Sequence, residues 1–161
     1  MAIDPVLLLT EELRMAEAAL DKATQIYNRD AKQSHAELVN MLLIKVKRLF
    51  TELFETQPNS APGAAELVRV AAQRLPFAHS RHAAHLHDIA DRLSDGQRSL
   101  SDLVWLRAMR AALLDGFFGK DGEKTARLLS LAISGAQRPV MVFHAVQPPQ
   151  VNPPWRGIIR G

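Results

Sequence analysis

"NRDAKQS", residues 28–34, separates two apolar stripes, and the path the chain takes through it decides the fold. Upstream, Leu9, Leu13, Ala16, Leu20, Ala23 and Tyr27 recur three and four apart, the spacing that lines one face of an α-helix. Downstream, Leu38, Met41, Leu42, Val46, Leu49 and Leu53 continue at that pitch, and Phe50 and Phe54 widen the stripe. A single helix from Pro5 to Glu55 would run about 75 Å, whereas a compact chain of this length has a radius of gyration of about 15 Å. The sequence therefore predicts a break or kink near Asn28, with Asp30 capping a second helix and Gln33 at its N3 position. The other reading is one long helix packed against another subunit.

Turn chemistry divides what lies on either side. Asp4-Pro5 starts the first helix, because an aspartate caps free amide groups and proline at N1 has no N–H to lose. "TQPNSAPG", residues 56–63, is a loop, and Ser60 is placed to cap a helix with Ala64, Leu67, Val68, Ala71 and Leu75 on its apolar face. Pro76 limits that helix. The histidine-rich segment forms the next, ending around Asp95-Gly96. Ser99 or Ser101 caps a further helix carrying Leu103, Trp105, Leu106, Met109 and Leu113, closed by Gly116. Asp121 starts the last, with Leu128, Leu129, Ala132 and Ile133 on its face, and Gly135 is read as its C′ stop. After Pro139, "VMVFHAV" reads as one short strand, and the proline-rich "QPPQVNPPWRGIIRG" as an extended arm. The expected fold class is all-α. It is a bundle of five or six helices built on a long N-terminal helix or helix pair, spanning residues 1–137, with an extended, Pro-rich C-terminal arm over 138–161.

Composition narrows the chemistry. The chain has 161 residues, enough for one domain with a real hydrophobic core. It has no cysteine, which excludes disulfides, thiolate metal sites and cysteine nucleophiles. Asp4 stands where a secretion signal carries positive charge, and no apolar run approaches the roughly 18 residues of a membrane helix. A soluble, cytoplasmic protein without membrane contact is expected. The net charge of +3 is a small footprint for nucleic acid. "KVKRLF", residues 45–50, lies on the outer side of an amphipathic helix, where charge belongs anyway. "SDLVWLRAMRAALL" is too apolar to read a DNA groove. Nucleic acid is therefore not the expected partner, though a nucleic-acid-binding helical protein stands as an alternative.

"AHSRHAAHLHD", residues 78–88, gathers His79, His82, His85 and His87. On a wheel at about 100° per residue, with Leu86, Ile89, Ala90 and Leu93 facing inward, the four imidazoles spread over roughly 200° and do not converge on one ion. The best metal subset is His82, His85 and Asp88, without the four-residue spacing that metal-binding helices favour. The ordinary reading puts His79 and His82 at the packing boundary and His85 and His87 in solvent. "AHSRHAAHL", residues 78–86, also resembles the signature of histidine-containing phosphotransfer domains, four-helix bundles with an exposed histidine. That resemblance implies His79 as phosphoacceptor. The position that is lysine in the family holds His82, and the one that is usually glycine holds Ala83.

"GFFGKDGEKT", residues 116–125, lacks the spacing of a phosphate loop and reads as a turn. No nucleophile motif is present, and no cofactor is called for. In the arm, Trp155, Arg156, Ile158, Ile159 and Arg160 combine the residue types that anchor interfaces. The function expected is that of a non-enzymatic interaction or regulatory protein that self-associates as a homodimer, with the arm as a docking segment. The histidine-centred alternative, phosphotransfer or metal binding, is held beside it.

Overall fold

The computed structural model describes residues 3–137, which form six α-helices and one short 3₁₀ turn, with no strand among them. Helix α1 spans Pro5–Arg29, α2 Gln33–Leu53, α3 Ala61–Gln73, α4 Ser80–Ser94, α5 Leu100–Leu114 and α6 Gly122–Gln137. The strand read at residues 140–146 and the Pro-rich arm lie outside the described residues.

The break in the first apolar stripe is real. Helix α1 ends at Arg29, and α2 begins at Gln33 and returns against it. Asp30 does not cap the second helix as its position suggested. Its backbone N–H donates to the Ile26 carbonyl and closes α1, while its own carbonyl accepts from Lys32 N at 2.8 Å. The His35 ring also reaches that carbonyl, at 2.7 Å. Turning the chain back uses the residues after Arg29, so the second helix starts later, with Lys32 at its N-cap and no side-chain cap bond.

Elsewhere local chemistry sets the ends as read. Asp4 caps α1, Ser60 accepts from Gly63 N in α3, and Ser99 accepts from Asp102 N in α5. Gly96, Gly116 and Gly119 take positive φ after α4 and α5, where a left-handed residue ends a helix. Gly135 does not stop α6, which continues to Gln137. A β-carbon there would lie 2.5 Å from Pro58 Cγ, so this glycine is a point of close approach between α6 and the loop before α3.

Helix α3 is the centre of the body. It packs on α4, α6 and the start of α1, and α5 packs on α6. One core draws Leu49 and Leu53 from α2, Leu67 and Val68 from α3, and Leu86 and Ile89 from α4. Leu106 of α5 and Leu128 and Leu129 of α6 complete it. Polar clamps tie the elements together. Arg69 of α3 donates to Glu66 at 2.6 Å and to Asp91 of α4 at 3.1 Å. Arg127 of α6 donates to the Phe54 carbonyl at 3.0 Å, and the Arg74 guanidinium sits over the Phe50 and Phe54 rings.

The α1–α2 hairpin outruns this body. At 1.5 Å per residue its first helix, 25 residues long, extends about 37 Å. In α1 the buried residues are Val6, Thr10, Leu13, Ala16 and Ala23, and in α2 they are Val46, Leu49 and Leu53. Burial is thus concentrated where the hairpin meets α3, and the half nearest the turn projects beyond the core.

Candidate self-association surface and the histidine cleft

The projecting hairpin leaves apolar side chains uncovered. On α1, the buried face centres on Leu13, and Leu8, Met15, Ala19 and Ile26 fall within a separate sector about 40° wide on the far side of the wheel. All four are exposed, Leu8 at 53% and Met15 at 65%. On α2, Leu38 and Met41, which the sequence pattern put in the apolar stripe, are exposed as well, Met41 at 66%. Their pitch is helical as expected, but no element of the body reaches that far along the hairpin. On α2, Lys45 and Arg48 are exposed among these apolar positions. The stripe on α1 is the more continuous one.

The histidines form a second feature, around the start of α4. His79 ends the 3₁₀ turn Phe77–His79 immediately before α4, and its ring meets the Phe118 ring edge-on with centroids 4.6 Å apart. His82 lies 5.5 Å from Phe118 and 6.3 Å from Trp105. Its Nδ1 is buried with no hydrogen-bond partner. His85 is not in solvent, as its wheel position suggested, but half-buried with its ring edge 4.4 Å from Trp105 between centroids. The reason is non-local, since Trp105 of α5 reaches across to α4. His87 is likewise half-buried.

Two recesses flank the His82–Trp105 pair. One of about 230 Å³ is lined by Met109, Ala112, Phe117 and Phe118. The other, of about 400 Å³, is lined by Arg81, His85 and Asp88. The proposed metal subset His82, His85 and Asp88 thus borders one recess, together with the cationic Arg81. Among the described residues, no group of three or more histidine, aspartate and glutamate side chains is gathered closely enough to hold a metal ion. His79, the residue the phosphotransfer resemblance singles out, is half-buried among aromatic rings. Trp155, Arg156, Ile158, Ile159 and Arg160 lie outside the described residues.

Sequence reasoning missed the ion pair that joins α4 to α5. Arg92 donates to both oxygens of Asp102, each at 2.8 Å, and Asp102 is buried. The Arg92 hydrogen bonds hold the Asp102 carboxyl below the usual carboxylate range, against the opposing effect of burial, and the charges of Arg92 and His85 add to them. No sequence spacing announces this pair, because its partners come from different helices.

No protein-family model, curated protein or solved structure matches the chain. No helix among the described residues is long and apolar enough to cross a membrane.

Proposed function

We propose that this chain is a non-enzymatic helical interaction protein that self-associates as a dimer through the α1–α2 hairpin. The observation that carries the reading is the exposed stripe Leu8, Met15 and Ile26 on α1; Leu38 and Met41 on α2 are exposed as well. Large apolar side chains left exposed along one face of a helix are the kind of surface that an interface covers. On this reading the role is regulatory: the hairpin pairs copies, and residues 138–161 serve as a docking segment for a further protein. The proposed setting is the cytoplasm, with which a cysteine-free chain is compatible.

Light scattering of the full chain at micromolar concentration tests the reading. The expected mass is twice the 17.9 kDa of one chain. A mass of 17.9 kDa alone would overturn it.

A further inference from the structure

The exposed stripe on α1 has an internal symmetry. Its positions in order are Leu8, Glu12, Met15, Ala19, Lys22 and Ile26, all exposed. They follow a heptad rhythm, with Leu8, Met15 and Lys22 at one core position and Glu12, Ala19 and Ile26 at the other. Leu8 and Ile26, Glu12 and Lys22, and Met15 and Ala19 are each centred on the same point, residue 17. Reversing the helix about that point lays apolar on apolar and acid on base. Among the described residues neither Glu12 nor Lys22 is in an ion pair.

We infer that α1 pairs with α1 of a second copy of this chain, antiparallel, about a two-fold axis at residue 17. In a two-fold contact, whatever residue i does to residue j, j does to i. Leu8 of each protomer therefore packs on Ile26 of its partner, and Met15 on Ala19, giving two apolar layers on each side of the axis. Glu12 of each protomer meets Lys22 of the other, so the two charges within the seam are both matched. A parallel pairing would instead set Glu12 against Glu12 and Lys22 against Lys22, which disfavours it. Ala19 opposite Met15 keeps the helices close near the axis. The seam is about 27 Å long at 1.5 Å per residue. This inference rests on the self-association proposed above and specifies its orientation and register.

The absence of native cysteine makes single-cysteine variants of the full chain clean probes. Leu8→Cys and Ile26→Cys are both at exposed positions, so folding is preserved. Mixed together and treated with a short bis-maleimide, they should cross-link to each other. Leu8→Cys alone should not, because the two copies of that position lie about 27 Å apart. A dimer in which Leu8→Cys cross-links to itself, or in which the mixture does not cross-link, overturns the antiparallel register while self-association stands. A chain that is monomeric by light scattering overturns both. Charge reversal gives a second readout. Glu12→Lys should weaken the dimer about tenfold by replacing two attractions with two repulsions. Adding Lys22→Glu should restore wild-type affinity; a double variant no tighter than Glu12→Lys contradicts the register.

Discussion

The Asp4 carboxylate accepts the Ser60 hydroxyl, so the N-caps of α1 and α3 are joined in one hydrogen-bonded unit. One oxygen of Asp4 serves Val6 N at 2.9 Å, and the other also takes Asn59 N at 3.0 Å. Asp4 is only 4% exposed. The hairpin is thereby fixed to the body at its base, and α1 is directed away from the core.

Gly63 completes this joint. A β-carbon at Gly63 would lie 2.0 Å from Asp4 Oδ2, with no room to stay. Asp4→Ala should lose about 1–2 kcal/mol, the typical cost of an N-cap plus the stranded donors it leaves behind. Gly63→Ala should lose a similar amount by expelling the carboxylate. In the Asp4→Ala background, however, Gly63→Ala should cost little, because the clashing group is gone. Urea unfolding of the four proteins reads the coupling, and strictly additive losses would contradict the geometry.

The Arg92–Asp102 pair should leave a signature in acid. Its carboxyl titrates below the unfolded value of about 3.9, so the pair contributes fully above that pH. The contribution is lost as pH falls through that value towards the lower folded one. Asp102→Asn removes the titration. The stability gap between wild type and Asp102→Asn should be constant near neutrality and close below about pH 4, followed by denaturant melts at successive pH values. Arg92→Ala should destabilise more than Asp102→Asn at pH 7, because it strands a buried carboxylate without its donors.

His82 should be replaceable. Its Nδ1 is enclosed without a hydrogen bond between Phe118 and Trp105. Leucine at this position removes a polar atom from an apolar setting, so His82→Leu should hold or raise stability, by about 1 kcal/mol. Thermal unfolding checks it. A clear loss of stability would show that the imidazole makes an interaction on which the cleft depends.

The boundaries that could be read in advance were those written in short-range chemistry. Asp4-Pro5, Ser60, Ser99, Gly96 and Gly116 act within a turn of their own position, so their residue type declares their role. Gly135 was misread because its role depends on Pro58, far away in sequence. Asp30 was misassigned because the hairpin reversal, and not the best capping residue, fixes where α2 begins. His85 was misplaced because Trp105 comes from another helix. The stripe from Leu8 to Ile26 was masked for a different reason. The stronger Leu9, Leu13, Ala16 and Leu20 pattern on the same helix already accounts for an amphipathic face, and a second seam emerges only once the first is seen to be covered.

The most direct test of the hairpin as the contact surface is sedimentation equilibrium of the wild type beside the Leu8→Glu/Met15→Glu variant. Both substituted positions are exposed, so the helices should persist, with unchanged far-ultraviolet circular dichroism. The account predicts that the wild type sediments at twice 17.9 kDa and the helical variant at 17.9 kDa. A variant that keeps the wild-type mass would contradict it.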